Sequence, residues 1–247
     1  MPVRLPLAAL ALLLSAAASA QPLVTDRPDL TESAVTIAPG RVQIEAGAVY
    51  EDAGSGFSAF AAPTALARVG VLPFLEVRLG APDFLRVETP LGSDEGIGDP
   101  SIGAKLAVGA VAGVDLALLA ETSLPLGDDD LNPDRTVPSV LLIAGTDLGP
   151  AFSLGAQGGI TYNEPGLEGA DLSATLVLGY ALDDQIGAFT ELAVIDRIDE
   201  DAPAALLVHT GATLLLSHDA QLDAQVGAGL SDTAPELLVG VGASVRL

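Results

Sequence analysis

The sequence has no cysteine, no tryptophan, a single lysine and only two histidines. The absence of cysteine excludes disulfides, so stability has to come from backbone pairing and side-chain packing. The scarcity of basic residues argues against nucleic acid as a partner, because phosphate binding needs clustered lysine and arginine and the formal net charge is −23. Beyond the N-terminal region, no stretch approaches the roughly 18 to 20 apolar residues that a transmembrane helix needs.

The first twenty residues have the pattern of a secretory signal peptide. Arg4 supplies positive charge, residues 5–14 form a short apolar segment, and Ala18-Ser19-Ala20 is a small-residue cleavage site. The sequence therefore predicts export, with Gln21 at the mature N terminus. An exported chain with 49% hydrophobic residues, a mean hydropathy of +0.49 and no spanning helix has two options. It is either a soluble protein with an unusually large core or a closed β-barrel that faces lipid.

Strict alternation along the chain favours the barrel. Residues 41–51, 152–163, 220–230 and 237–247 place aliphatic side chains at every second position, with glycine, serine, threonine, glutamine and a few carboxylates between them. Successive side chains of a strand point to opposite faces, so a continuous aliphatic face suits lipid and a small polar face suits a crowded, wet lumen. We therefore predict two sets of side chains: lipid-facing Leu154, Leu222 and Val226, and lumen-facing Gln157, Asp223 and Gln225.

About twelve such segments follow one another, with connections that alternate in length. The predicted strands lie near residues 41–51, 57–71, 74–80, 98–110, 113–124, 135–147, 150–163, 170–182, 185–195, 203–216, 220–230 and 235–247. Short turns are expected near 72–73, 111–112, 148–149, 183–184 and 217–219, and longer acidic loops at 81–97, 125–134, 164–169 and 196–202. This alternation is typical of bacterial outer-membrane barrels, whose strand number is even. The predicted fold is all-β, an antiparallel transmembrane β-barrel of about twelve strands over residues 40–247.

Several motifs resemble an outer-membrane family named for the MetA pathway of phenol degradation. They are Thr25-Asp26-Arg27-Pro28-Asp29-Leu30-Thr31-Glu32-Ser33, then Gly40-Arg41-Val42-Gln43-Ile44-Glu45-Ala46-Gly47, and the shorter segments 96–106, 122–127, 221–230 and 240–242. The resemblance spans most of the mature chain. The opening motif is its most specific part, and the other segments are general barrel strands.

The resemblance implies a transporter-like barrel in the outer membrane that passes small molecules, often aromatic or apolar ones. The implied partners are outer-membrane lipid, the barrel-insertion machinery and small-molecule solutes. The chain departs from the usual pattern by ending in Leu247, where such barrels carry an aromatic residue. It also has only three tyrosines and six phenylalanines for the interfacial girdles, and it is unusually acidic. The acidity has two interpretations, a surface suited to high salt or a lumen suited to cations.

Nine charged residues are predicted to face the lumen: Glu45, Glu76, Arg78, Lys105, Asp115, Glu121, Glu191, Asp223 and Arg246. Charged rings of this kind select ions in channels. The alternative is structural, in which ion pairs brace a narrow barrel from within, and for about twelve strands we favour bracing.

The segment at residues 21–39, which precedes the first predicted strand, is a candidate plug. Its charged residues are Asp26, Arg27, Asp29 and Glu32. We expect it either to fold into the periplasmic mouth of the barrel, with Arg27 meeting inward carboxylates, or to remain a solvated tail.

Catalytic, metal and cofactor sites find little support in the sequence. Nucleophilic catalysis needs a nucleophile beside a positioned base, and neither a G-x-S-x-G elbow nor a suitable setting for His209 or His218 is present. Residues Asp128-Asp129-Asp130, with Asn132 and Asp134, offer hard oxygen ligands for Ca²⁺, but they lack the glycine and terminal glutamate of an EF-hand loop. We interpret them as an acidic, solvated loop, and we predict no enzymatic activity, no cofactor and no metal.

Two functions of different class remain from the sequence. The first is an outer-membrane channel or facilitator for passive passage of small molecules. The second is a structural or surface-adhesive barrel with a blocked lumen. The small, polar inner face and the family resemblance favour the channel, and the crowding expected in a small barrel favours the blocked alternative.

Overall fold

The computed structural model describes residues 23–163, 169–198 and 203–247. The predicted signal peptide at 1–20 lies outside the described residues, as do most of the predicted loops at 164–169 and 196–202. In the part of the chain that is described, no helix has the length and hydropathy needed to cross a membrane.

The described residues form strands that all pair antiparallel in one sheet. The strands are β1 (Val42–Gly54), β2 (Phe57–Ala62), β3 (Leu66–Leu72), β4 (Leu75–Gly80), β5 (Phe84–Thr89), β6 (Gly92–Ile97), β7 (Ser101–Val111), β8 (Val114–Ser123), β9 (Pro138–Asp147), β10 (Phe152–Tyr162), β11 (Ala170–Ala181), β12 (Ile186–Arg197), β13 (Ala205–Ser217), β14 (Ala220–Gly229) and β15 (Leu237–Arg246). The sheet closes because β15 pairs with β1 from Gln43↔Arg246 to Asp52↔Leu237.

Three neighbouring barrel strands are each interrupted at a proline. Strands β2 and β3 continue one another across Pro63, β4 and β5 across Pro82, and β6 and β7 across Pro100. Proline has no N–H to donate to the ladder, so regular pairing stops there. Counting each interrupted pair as one strand gives the predicted closed barrel of twelve strands, which is confirmed.

The prediction of a loop over 81–97 is wrong, because this segment forms the hairpin β5–β6. Arg86 lies 2.8 Å from Glu88 and 3.0 Å from Glu95 in exposed ion pairs. Most residues of the hairpin are exposed. The segment therefore pairs as two strands without the continuous aliphatic face from which the other strands were predicted.

The predicted short turns are confirmed and lie together at one end of the barrel, with Val42 and Leu247. We call this the turn end and the opposite end the loop end. Short turns face the periplasm in bacterial barrels. The predicted strand at 57–71 is divided at Pro63, and residues 124–137 form a long loop, as expected for 125–134.

The two faces of the wall follow the predicted alternation. On β14, Leu222 and Val226 each have 44% of their surface exposed on the outside, whereas Asp223 between them is 6% exposed and points inward. The outer face carries many exposed aliphatic side chains, which is the surface that lipid requires. Inside, Ala117, Leu119 and Ile143 form a small apolar strip on β8 and β9.

Candidate functional site

Residues 23–39 lie inside the turn-end half of the barrel, and we call them the inner segment. The segment has no regular secondary structure, so its backbone N–H groups need other acceptors. Wall carboxylates supply them. Glu45 Oε2 accepts from the N–H groups of Asp26 and Arg27 at 3.0 and 3.1 Å, and Glu76 Oε2 accepts from Ile37 N at 2.9 Å. These acidic side chains therefore hold the backbone of the segment as well as its charges.

A buried ion-pair cluster joins the inner segment to β1, β3, β4 and β7. Its members are Asp26 and Glu32 from the segment and Glu45, Arg68, Glu76, Arg78 and Lys105 from the wall. Arg68 and Arg78 are direct cross-strand partners, an arrangement that is unfavourable for like charges alone. The Asp26 carboxylate contacts both arginines and Lys105, with 3.1 Å to Arg68 Nη1 and 2.8 Å to Lys105 Nζ. One carboxylate thus contacts all three converging cations, and Glu32, Glu45 and Glu76 supply the rest of the counter-charge.

The cluster sets the ionisation of the two segment carboxyls in opposite directions. Burial alone would raise the pKa of Asp26, but the charges of Arg68, Lys105 and Arg78 hold that pKa well below its usual range. The cluster contains four carboxyls and three cations, so one carboxyl lacks a full counter-charge. Burial and the neighbouring charge of Asp26 raise the pKa of Glu32 to about 8.

A slot between two glycines holds Arg27. Gly47 on β1 and Gly242 on β15 are cross-strand partners, and a Cβ atom on either would collide with the guanidinium group. In the slot, Arg27 Nη2 lies 3.1 Å from Asp223 Oδ1 and donates to the Val241 carbonyl at 3.2 Å. The glycines are needed because the guanidinium group approaches the wall backbone this closely.

A second carboxylate anchor lies across the lumen on β12. Glu191 is fully buried and accepts from Leu30 N at 2.8 Å and from Thr31 Oγ1 at 2.5 Å. Its Oε2 lies 3.0 Å from His209 Nδ1, and the His209 ring packs edge-on against Phe189 with centroids 5.1 Å apart. His209 therefore orients the carboxylate that holds Leu30 and Thr31 of the inner segment.

The contacts with β10 and β11 are of a different kind, because they are uncharged. Gln157 Oε1 accepts from Glu32 N at 2.9 Å, Gln157 Nε2 donates to the Leu30 carbonyl at 3.5 Å, and the hydroxyls of Thr31 and Thr175 are 2.6 Å apart. Gln157 and Thr175 are themselves cross-strand partners. We call β10 and β11 the neutral wall, and we call β14, β15, β1, β3, β4 and β7 the charged wall.

Cavities lie on both sides of the inner segment. Two of those at the turn end have volumes of about 380 and 490 Å³, and the inner-segment residue Asp29 lines both of them. Burial raises the pKa of Asp29 well above its usual range, and the charge of Glu191 adds to that shift. A third cavity of about 400 Å³ at the loop end is lined by Asp83, Asp99, Glu121, Asn132 and Ser139, among others. We call this third cavity the loop-end chamber.

The structure distributes the nine predicted lumen residues among three places. Glu45, Glu76, Arg78, Lys105, Glu191 and Asp223 contact the inner segment. Glu121 lies 3.5 Å from Arg78 Nε and borders the loop-end chamber. Asp115 lines turn-end cavities, and Arg246 pairs with Asp219 of a short turn at 2.8 Å.

Sequence reasoning missed Arg68, which is fully buried at the centre of the cluster. Its position between Ala67 and Val69 in an alternating segment was a usable signal, because an arginine flanked by apolar residues has to point away from lipid. Among the four charged residues of the candidate plug, Asp26, Arg27 and Glu32 form ion pairs with the wall.

The acidic loop after β8 bonds to the wall beside the interrupted strands. Asp128 Oδ2 accepts from Ile97 N at 2.7 Å, and Asn132 Oδ1 accepts from Asp99 N at 3.0 Å. Asp129 and Asp130 are exposed, in keeping with the solvated loop expected there. The described residues contain no group of three or more His, Asp or Glu side chains that could hold a metal ion.

Comparisons with solved structures agree with the barrel fold. An outer-membrane channel from Pseudomonas putida F1 is 15% identical, with a TM-score of 0.66 over 87% of this chain and 98% of that one. The NanC porin is 8% identical, with a TM-score of 0.60 over 83% of this chain and all of the other. The KdgM porin, solved in complex with disordered oligogalacturonate, is 8% identical, with a TM-score of 0.56 over 83% and 98% of the two chains. No curated protein matches the chain significantly.

The closed sheet with its aliphatic outer face has the form of a membrane-spanning barrel, and its fold is similar to that of these channels and porins. A family model matches residues 25–247, which include the opening motif, most of the inner segment and every strand of the described residues. The chain therefore belongs to the family described as "Putative MetA-pathway of phenol degradation".

Proposed function

We propose that the chain is an outer-membrane channel through which small molecules pass by diffusion. The observation that carries the proposal is a closed barrel with cavities of about 380 to 490 Å³, lined by both polar and apolar residues, on both sides of the inner segment. Cavities of this size accommodate small organic molecules. The fold similarity to an outer-membrane channel and to two porins supports the same function.

Small apolar or aromatic molecules are the solutes we propose. The family description refers to phenol degradation, which fits aromatic compounds. The inside of the barrel is also apolar near the loop end, where Val49 packs against the buried residues Ala193, Leu207 and Leu238. A solute with an apolar ring and a polar group has partners in such a lumen.

The inner segment acts in this proposal as a plug that narrows the turn end. Its ion pairs, backbone hydrogen bonds and buried side chains at Asp26, Thr31 and Ile37 support that role.

Removal of residues 1–20 remains a prediction, and N-terminal sequencing of outer-membrane fractions tests it. An outer-membrane product that begins at Gln21 is expected, whereas an intact Met1 or a soluble periplasmic pool would contradict it. Insertion by the barrel-insertion machinery also remains a proposal.

We also propose that ions crossing this channel are mainly cations. Glu45, Glu76 and Glu191 are fully buried in ion pairs or hydrogen bonds, so the carboxylates left to attract ions are the partly exposed ones at the two mouths. These include Glu121 and Asp99 at the loop-end chamber and Asp115 at the turn end. Acidic mouths concentrate cations before entry.

Planar-bilayer recordings in a KCl gradient test the channel and its selectivity together. We expect stepwise currents with a cation-selective reversal potential that weakens as salt rises, because the Debye length falls from about 10 Å at 0.1 M to about 3 Å at 1 M. The variant Glu121→Gln should reduce the selectivity, and Glu88→Gln on the exposed hairpin is the matched control. Absence of current would favour the blocked, structural barrel, and an anion-selective reversal potential would contradict the proposed role of the acidic mouths.

A further inference from the structure

The inward side of the neutral wall is a track of mostly small, uncharged residues that runs from one end of the barrel towards the other. Successive inward cross-strand pairs of β10 and β11 are Ser153↔Gly179, Gly155↔Val177, Gln157↔Thr175 and Gly159↔Ser173. The first two pairs border the turn-end cavities. Beyond Ser173 the next inward pair is Thr161↔Asp171, in which the Asp171 carboxylate lies 2.9 Å from Arg197 Nε. The uncharged track therefore ends at this ion pair, beside the loop-end chamber that Asn163 and Ser139 line. The inner segment meets the track at the second and third pairs: a Cβ on Gly155 would lie 3.3 Å from Thr31 Cγ2, and Gln157 and Thr175 form hydrogen bonds with the segment.

The bonds that Gln157 and Thr175 make to the inner segment are neutral, whereas Glu191 on the neighbouring β12 holds Leu30 and Thr31 through charge-assisted bonds at 2.8 and 2.5 Å. On the charged wall its contacts are ion pairs and charge-assisted hydrogen bonds, such as Lys105 Nζ to Asp26 at 2.8 Å and to Glu32 at 3.1 Å. At the neutral wall they are neutral hydrogen bonds, one of them 3.5 Å long. Charge-assisted hydrogen bonds are roughly twice as strong as neutral ones, so the segment separates more easily from the neutral wall.

We propose that solutes cross the barrel along the neutral wall, past an inner segment that stays paired to the charged wall, with Gln157 and Thr175 as the gate. The inference rests on the proposed channel function and adds the route and its controlling residues. The hydroxyls and amides of the track suit a solute that is uncharged and carries a hydrogen-bonding group. Such a solute replaces the bonds of Gln157 and Thr175 to the segment as it passes, so neither side chain is left unpaired.

Two glutamines that both bond the inner segment allow a matched test. Gln157 contacts Glu32 and Leu30 from the neutral wall, and Gln43 donates to the Val24 carbonyl at 2.8 Å from the charged wall. Single-channel conductance is measured in planar bilayers with KCl for the full mature protein, Gln157→Ala and Gln43→Ala. We expect Gln157→Ala to raise the conductance about twofold, because truncation widens the gate, and Gln43→Ala to leave it close to the unchanged protein.

A thiol reagent gives a second measurement on the same route. The chain has no cysteine, so Gln157→Cys and Thr175→Cys each create a single thiol. We expect a cationic methanethiosulfonate to reduce the current through both variants and to leave the unchanged protein unaffected.

The outcomes separate the route from the function. If the unchanged protein carries no current, the channel function fails, and the route fails with it. If the unchanged protein conducts but Gln43→Ala raises the conductance and Gln157→Ala does not, the route is wrong while the function stands. The same conclusion follows if thiol modification at residues 157 and 175 has no effect on the current.

Discussion

Asp26 and Thr31 lie five residues apart in the inner segment and contact opposite sides of the lumen. Asp26 meets Arg68, Arg78 and Lys105 of the charged wall, whereas Thr31 shares a 2.6 Å hydrogen bond with Thr175 of the neutral wall. The charged wall also encloses Arg27 between two glycines, and the neutral wall borders open cavities. The difference separates two tasks, because a wall that holds a segment needs strong, directional contacts and a wall that passes solutes needs weak, replaceable ones.

The largest effect is expected at Asp26. Replacing Asp26 with Asn removes the carboxylate shared by three buried cations, and breaking a buried ion pair typically costs about 3–5 kcal/mol. We expect a lower free energy of unfolding and faster digestion of the inner segment by proteinase K. Urea unfolding in lipid vesicles, followed by circular dichroism, measures the first quantity.

The matched control for that variant is Asp29→Asn. Asp29 lines the cavities, and its pKa is raised by burial and by the charge of Glu191, so its neutral form is favoured already. We expect little change or a small gain in stability. If Asp26→Asn and Asp29→Asn lowered the free energy of unfolding equally, the distinction between the two walls would be contradicted.

A smaller effect is expected from Gly242→Ala. The added methyl group collides with the guanidinium group of Arg27, and overpacking of this kind costs about 1–3 kcal/mol. Gly145→Ala is the control, because its Cβ would lie an ordinary 3.7 Å from the Cβ of Ala34. Unfolding midpoints in urea compare the two variants, and a greater loss at Gly145 would contradict the assigned slot.

The smallest effect is a pH dependence that arises from Glu32. Docking of the inner segment inside the barrel raises the pKa of Glu32 from 4.5 to about 8. Between these two pH values the docked segment keeps Glu32 protonated, whereas a segment released from the barrel has lost that proton. This contribution to docking is complete below pH 4.5, declines as pH rises and is lost above about pH 8. Asp26 has the opposite sign, because its lowered pKa favours docking above the ordinary aspartate range and the gain is lost only in acid.

We therefore expect proteinase K to digest the inner segment faster at pH 9 than at pH 7. Glu32→Gln should remove most of that difference, because it has no proton to lose. A digestion rate that stays unchanged from pH 7 to 9 in the unchanged protein, after correction for protease activity, would contradict the raised pKa.

Much of the barrel follows from local sequence pattern. The alternation in residues 220–230 assigns Leu222 outward and Asp223 inward, because the period of a strand is two and only one face meets lipid. The interruptions of the strands could also be predicted from the sequence, because each one coincides with a proline. The acidic residues of 81–97 favoured a loop instead. Acidic residues do not by themselves indicate a loop, because the β5–β6 hairpin holds Glu88 and Glu95 in exposed ion pairs with Arg86.

The arrangement of the lumen is less accessible from sequence. The carboxylate of Asp26 meets side chains 42, 52 and 79 positions later, a convergence that depends on barrel closure and on strand register. Alternation gives the face of each strand residue but not its height relative to distant strands. For the same reason, the sequence marks Gln157 as inward but does not show that it lies opposite Thr175 and beneath the inner segment.

The most direct test of the two-wall account fixes the inner segment in place and asks whether the pore still conducts. Cysteines at residues 34 and 145 suit this test, because the Cβ atoms would lie 3.7 Å apart, within the range of disulfides, and the chain has no other cysteine. Both positions are on or beside β9, outside the Gln157–Thr175 gate. The account predicts that Ala34→Cys/Gly145→Cys conducts equally well with the disulfide formed and after reduction. Loss of current on oxidation and its return with dithiothreitol would show that the whole segment has to move, which contradicts the account.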